Sequence, residues 1–123
     1  MKQKRTVEDY LKTIYVLRTQ NGSARGIDVA EELNVSRPTV SIALKGLEEE
    51  GYLYADEAHE IHLTKEGSAI AQATCERYHT FRRLLINLGV NKQTASEDAC
   101  KLEHAVSPES YEALKNLAEK SKA

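Results

Sequence analysis

The spacing of apolar residues changes period once and then changes back. That alternation constrains the fold more than any other feature of the chain. In Thr6–Gln20, Val7, Tyr10, Leu11, Ile14 and Leu17 follow the i, i+3, i+4, i+7 pattern of a helix with one buried stripe. Thr6 is the expected N-cap, with Asp9 three residues on in capping-box position, and Asn21-Gly22-Ser23 ends the helix. Ile27, Val29, Ala30 and Leu33 mark a short second helix over Gly26–Leu33, and Asn34-Val35 is a tight connection. Ser36 reads as the N-cap of a third helix with Pro38 in its first turn, where a missing N–H costs little; Gly51 terminates it. Its apolar positions are Val40, Ile42, Ala43, Leu44 and Leu47.

After Gly51 the period shortens. Tyr52-Leu53-Tyr54 and Glu60-Ile61-His62-Leu63-Thr64 are short β-rich runs on either side of the polar stretch Ala55–His59, the pattern of a hairpin. Helical spacing then returns in a long helix from Lys65 to Asn87 behind a Thr64 cap, followed by helices over Asn91–Val106 and Pro108–Lys120. Helix, short helix, tight turn, helix, hairpin is the order of a winged helix-turn-helix. The fold class is therefore mainly α: a winged helix-turn-helix DNA-binding domain over residues 1–72, then an all-helical domain over 73–123, which the resemblance and the ligand and apolar residues described below make the metal-binding and dimerisation domain.

The third helix would present Ser36, Arg37, Pro38, Thr39 and Ser41 at its exposed N-terminal end. Hydroxyls there bond phosphates or base edges, Pro38 and Thr39 meet thymine methyls, and Arg37 reaches guanine or phosphate. Further phosphate contacts are assigned to Lys2, Lys4, Arg5, Arg25 and Lys45. The bland alternative is that Ser36–Thr39 is only a well-capped helix start.

Four segments, in order, carry a resemblance. Glu8–Lys12, Ser36–Ser41, Leu63–Gly67 and Glu97–His104, the last followed by Ser107, resemble the diphtheria toxin repressor and manganese transport regulator family. The resemblance covers nearly the whole chain. It implies a homodimer that takes up a divalent metal, binds a palindromic DNA operator and represses metal-uptake genes. It also implies a short form without the SH3-like third domain of some relatives.

Cys100, Glu103 and His104 lie at i, i+3 and i+4, so a continuous helix would carry all three on one face. A thiolate, a carboxylate and an imidazole together bind first-row divalent ions, and Asp9 would add a ligand from the DNA-binding half. The resemblance makes this group the primary regulatory site, a metal bridge that favours one separation of the two recognition helices. Separately, Asp9 reads as a cap residue, Cys100 as a small buried apolar residue, Glu103 as a solvated charge and His104 as a core histidine. No third group that would orient a Cys–His pair for catalysis is evident, so an enzyme is not expected.

Departures from the family pattern matter. Many manganese-responsive relatives have glutamate at the positions of Lys12 and Cys100. The family's histidine in the long helix falls on Tyr78, and a shift to the neighbouring His79 turns a side chain by about 100°. Ser96 and Arg83 stand where iron-responsive relatives carry metal-binding side chains. One principal site is expected, with Glu76, Tyr78 and His79 as candidate further ligands. Manganese or iron is the expected ion. A thiolate would move preference towards softer ions, and cobalt, nickel and zinc remain open.

Charge does not settle the partner. The net formal charge is −2, with residues 1–50 balanced and residues 51–72 at −3. Acidity thus gathers around the hairpin, where Asp56 and Glu57 are expected to repel DNA, while His59 lies at the hairpin and His62 beside it faces solvent. The C-terminal half has more apolar residues than it can bury alone, including Phe81, Leu84, Leu88 and Leu117, which points to a second copy. No apolar run approaches 18 residues, no export leader is evident, and two cysteines (Cys75 and Cys100) suit a reducing cytoplasm. Neither a membrane nor a small organic substrate is expected. Two alternatives stay open: a winged-helix regulator that has lost metal sensing, and a non-DNA-binding interaction module on the same fold.

Overall fold

The computed structural model describes residues 4–120; Lys2, assigned above to phosphate, lies outside them. The described residues form helices α1 (Lys4–Asn21), α2 (Gly26–Leu33) and α3 (Arg37–Glu49), then strands β1 (Leu53–Ala55) and β2 (Ile61–Leu63). Helices α4 (Lys65–Asn87), α5 (Lys92–Leu102) and α6 (Pro108–Lys120) follow. Two compact units divide after Gln72. No helix among the described residues is long and apolar enough to cross a membrane.

In the first unit, α1 buries the stripe its spacing requires: Val7, Tyr10, Leu11, Ile14 and Leu17. It starts at Lys4, so Thr6 lies inside the helix and the capping-box reading of Thr6 with Asp9 fails. At the start of α2, the Asp28 carboxylate accepts the Arg25 N–H at 3.0 Å. Asn34 at φ 55° turns the chain out of α2, a conformation asparagine tolerates better than most residues. Ser36 Oγ accepts the Thr39 N–H at 3.2 Å, so Ser36 does cap α3.

Helix α3 buries only Val40, Ala43 and Leu47, which join Leu11, Ile14, Val29, Leu53 and Ile61 in one core. Ile42, counted above with the apolar face, is 76% exposed. At about 100° per residue it falls near Pro38 and Lys45, away from the buried stripe.

Strands β1 and β2 pair antiparallel with Leu53 opposite Leu63 and Tyr54 opposite His62. The Ile61 N–H donates to the Ala24 carbonyl at 2.8 Å, and Arg18 Nη1 donates to the Ile61 carbonyl at 2.9 Å; together they hold β2 against the preceding helices. Asp56 is not an outward charge at the tip. Its Oδ1 accepts the Ala58 and Glu60 N–H groups at 2.9 and 3.0 Å, and its Oδ2 lies 2.8 Å from His62 Nε2. His62, expected to face solvent, is largely covered and stacks on Tyr54 with ring centroids 5.1 Å apart.

Thr64 joins the hairpin to α4. Its Oγ1 donates to the Gly51 carbonyl at 2.7 Å and accepts the Gly67 N–H at 3.2 Å, while its own N–H reaches the Tyr52 carbonyl at 3.0 Å. Gly67 packs so close to Tyr52 that a Cβ there would stand 2.0 Å from the Tyr52 carbonyl oxygen.

The second unit is built around Phe81, Ala99 and Tyr111, with Tyr78, Leu102, Val106 and Leu114 against them. Tyr111 fixes α6 to α4: its hydroxyl donates to Glu76 Oε2 at 2.7 Å and lies 3.1 Å from Thr80 Oγ1, and the Arg77 guanidinium sits 4.9 Å from its ring centroid. Leu88 is 73% and Leu117 52% exposed within this unit, the uncovered apolar surface expected of a chain that pairs with a copy.

Gly67→Ala should destabilise the protein by about 1–3 kcal/mol, because backbone rather than a flexible side chain must yield; urea unfolding measures this. A second expectation concerns Asp56, whose carboxyl is held below its usual range first by the His62 hydrogen bond and next by the Glu60 N–H. A depressed folded-state pKa contributes stability that is present above the unfolded value of about 3.9 and is lost as pH falls through the folded value. Asp56→Asn should therefore lower the urea midpoint at neutral pH and flatten its decline across roughly pH 5 to 3.

Candidate DNA-reading face and metal centre

On α3 the exposed residues Pro38, Ser41, Ile42 and Lys45 share one face at helical spacing, with Arg37 at the helix start. Burial of the opposite stripe forces this arrangement, since Val40, Ala43 and Leu47 must point to the core. Thr39 is exposed on the flank, and its hydroxyl lies 2.7 Å from Ser36 Oγ. That bond fixes both hydroxyls at the first turn, beside the backbone N–H groups that favour phosphate. Arg25 is exposed at the start of α2. Each DNA-contact residue read from the sequence, Lys2 apart, thus lies at the surface of the first unit.

Ile42 is the residue that sequence reasoning missed. Its signal was available: on a helical wheel it sits beside Pro38 and Lys45, on the side opposite Val40 and Leu47. An exposed branched alkyl group on a reading face suits a thymine methyl.

The expected metal ligands of the second unit lie around the end of α5. The helix stops at Leu102, with Glu103 as its C-cap and the His104 N–H reaching the Lys101 carbonyl at 3.4 Å. That i to i−3 contact tightens the last turn. Cys100, Glu103 and His104 do not close into a three-donor group. Cys100 is exposed, so it is not the buried apolar thiol of the alternative reading either.

Glu103 and His104 do come together. Their side chains are 2% and 4% exposed, with Glu103 Oε1 and His104 Nε2 3.7 Å apart. Two donors each about 2.1 Å from one ion stand roughly 3.0–3.5 Å apart, so a small closure would bring both onto a single cation. A carboxylate oxygen and an imidazole nitrogen suit manganese and iron, and a buried carboxylate gains from a cation that neutralises it. The pair fits a divalent metal. Asp9 lies partly buried on α1.

The candidate further ligands on α4 have these surroundings. The Glu76 carboxylate accepts the Tyr111 hydroxyl and the Lys115 ammonium. The Tyr111 bond is the largest cause holding its pKa below the ordinary range, although partial burial opposes it. Tyr78 packs on the second-unit core, and His79 is exposed with its ring edge-on to Tyr78 at 5.1 Å. Ser96 accepts the Arg82 Nε–H at 2.8 Å.

A winged helix-turn-helix with an exposed reading face, followed by a helical unit holding a buried carboxylate–imidazole pair, defines a metal-dependent DNA-binding regulator rather than an enzyme. Comparison with known proteins agrees. The N-terminal DNA-binding domain of the iron-dependent repressors matches residues 3–59, and their metal-binding and dimerisation domain matches residues 64–122. This chain belongs to that family.

It is 36% identical over 119 residues to an HTH-type transcriptional regulator of Methanocaldococcus jannaschii, covering 95% of each chain. It is 37% identical over 108 residues to the transcriptional regulator MntR of Salmonella typhimurium, covering 88% of this chain and 69% of that one. Among solved structures, the manganese regulator SloR matches with a TM-score of 0.80 at 32% identity, over 92% of this chain and 53% of its own. A manganese-dependent transcriptional repressor in complex with manganese matches with a TM-score of 0.81 at 28% identity, over 92% of this chain and 52% of its own. The chain thus spans about half the length of these two solved structures.

Ile42→Ala should weaken binding to the chain's operator by about 1–3 kcal/mol and relax specificity at one base pair. Its unfolding free energy should stay within about 0.5 kcal/mol of wild type, since the side chain is outside the core. Fluorescence anisotropy on matched and singly substituted duplexes, with urea unfolding alongside, measures both.

Proposed function

We propose that this chain is a homodimeric cytoplasmic repressor of metal-uptake genes, responsive to manganese or iron, that reads a palindromic operator. Glu103 and His104 are its principal metal ligands, with Asp9 and Cys100 completing the set. Arg37, Pro38, Thr39, Ser41, Ile42 and Lys45 read or clamp the DNA, supported by Ser36 and Arg25.

The observation that carries the metal assignment is the Glu103 carboxylate at 2% exposure beside His104. A carboxylate oxygen and an imidazole nitrogen held this close out of water are a donor pair that one divalent ion can share. Cobalt, nickel and zinc suit the same donors, and a Cys100 thiolate would favour them over manganese. The packing of Tyr78 into the core and the engagement of Glu76 with Tyr111 and Lys115 favour one principal site over two. They bear on the number of sites, not on metal sensing itself. The palindrome follows from a two-fold dimer, whose paired reading helices address two half-sites.

Operator shift assays with the dimer test the proposal. Manganese or iron should promote the shift, and a chelator should abolish it. Glu103→Gln and His104→Ala should each raise the metal concentration needed by at least about tenfold, the loss that even an outer-shell change causes. Added metal should raise the wild-type melting temperature and leave those variants little changed. Cys100→Ser separates a thiolate ligand from a bystander: a ligand role predicts a weaker response to zinc and cobalt than to manganese. Operator binding indifferent to every metal and to the chelator would point instead to a regulator that no longer senses metal.

A further inference from the structure

Between α5 and α6 the chain leaves regular helix over residues 103–107, and the first two of these are the buried carboxylate and imidazole. On its near side this turn is held by backbone bonds running back into α5. The Glu103 N–H reaches the Ala99 carbonyl at 3.0 Å, the His104 N–H the Lys101 carbonyl at 3.4 Å and the Ala105 N–H the Leu102 carbonyl at 3.1 Å. Its far side is tied to a different helix: Arg77 Nη1 of α4 donates to the carbonyl of Val106, just beyond the pair, at 2.5 Å. We propose that Arg77 is a positioning residue for the metal centre, holding the turn so that Glu103 and His104 stay within reach of one divalent ion; the inference rests on the metal-ligand reading above.

The surroundings of the turn support this role. Leu102 and Val106, on either side of the pair, both pack against the core around Phe81. Apolar packing resists their removal but is non-directional, whereas a hydrogen bond fixes the line along which a carbonyl points. The bond from Arg77 is therefore what orients the backbone between the two apolar anchors. Arg77 is itself fixed from a second side. Its guanidinium lies 4.9 Å from the Tyr111 ring centroid, and the Tyr111 hydroxyl donates to the neighbouring Glu76 carboxylate at 2.7 Å. A planar guanidinium can rest one face on a ring while an N–H at its edge reaches a carbonyl. With the turn held at both ends, the closure that Glu103 and His104 need is left to their side chains, and donors placed in advance lose less freedom when they bind.

Titration of the whole protein with cobalt(II), whose visible absorption reports coordination geometry, tests the assignment. The variants are Arg77→Met, Arg77→Lys, Tyr111→Phe and Glu103→Gln. Arg77→Met keeps an apolar stem and removes the donor, and Arg77→Lys restores a donor of similar reach. Tyr111→Phe removes the hydroxyl bonds between α4 and α6 and leaves the Val106 carbonyl and the ring in place. Arg77→Met should raise the cobalt dissociation constant by about tenfold or more, the size of an outer-shell loss, and should alter the absorption spectrum at saturation. Arg77→Lys should recover most of the affinity and the wild-type spectrum. Tyr111→Phe should lower the melting temperature yet keep affinity and spectrum close to wild type.

Wild-type affinity and spectrum in Arg77→Met overturn the proposal while leaving the metal ligands in place. So does an equal affinity loss in Arg77→Met and Tyr111→Phe with unchanged spectra at saturation, because Arg77 would then act only through the packing of α4 on α6. Failure of Arg77→Lys to recover either readout also overturns it, since the donor would not be what holds the turn. A wild type that takes up no cobalt, or whose affinity Glu103→Gln leaves unchanged, defeats the ligand reading itself, and the positioning role with it. Should Arg77→Met not fold, Arg77→Gln, whose amide ends short of the reach of the guanidinium, is held to the same outcomes.

Discussion

What this protein can present to DNA depends on a narrow apolar contact along α3. Val40, Ala43 and Leu47 occupy one stripe of that helix and are buried with Leu11, Ile14 and Val29. At about 25 cal/mol per Å² of apolar surface removed from water, such a stripe anchors the helix while leaving the rest of its circumference free. The exposed arc then carries Pro38, Ser41, Ile42 and Lys45 without loss to the core. A wider buried stripe would hold the helix more firmly and leave fewer side chains to read a groove. Thr64 and Gly67 play a comparable part at the other side of the unit, where the close approach of Gly67 to Tyr52 lets α4 begin directly beside the hairpin.

The hairpin shows how little a local charge count says about a surface. Residues 51–72 hold the chain's excess of negative charge, which by itself argues against contact with phosphate. Yet Asp56 is occupied by two backbone N–H groups and the His62 ring, and Arg25 and Arg37 come from other elements to border the cavity beside the hairpin. Charge density along the chain and charge density in space differ here because a hairpin tip lies against the start of one helix and the first turns of another.

In the second unit the polar residues divide into two kinds. Glu76, Thr80, Arg77 and Tyr111 form a hydrogen-bonded and cation–π network between α4 and α6, a structural use of residues whose types also suit metal chemistry. Glu103 and His104 sit almost wholly out of water at the end of α5, where a carboxylate is costly to keep. Burial separates the two groups more clearly than residue type does. It directs attention to Glu103 and His104 rather than to Glu76 and His79.

The sequence by itself determined the order of elements, because periodicity, caps and turn residues are local: Ser36 before Pro38, Gly51 after the third helix and Thr64 before the long one all act within a few residues. It also determined which residues α3 exposes at its N-terminal end, and a resemblance spread along the chain indicated the family. The tertiary structure decided the rest. Thr6 proved to lie within α1, and Ile42 lies on the open face of α3. At the end of α5, Glu103 and His104 are buried together while Cys100 on the same helix is exposed. Asp56 turns into its own loop. Each of these depends on which groups are buried or hydrogen-bonded by distant neighbours. A side chain's direction and solvation are set by what packs around it, which spacing along a chain does not contain.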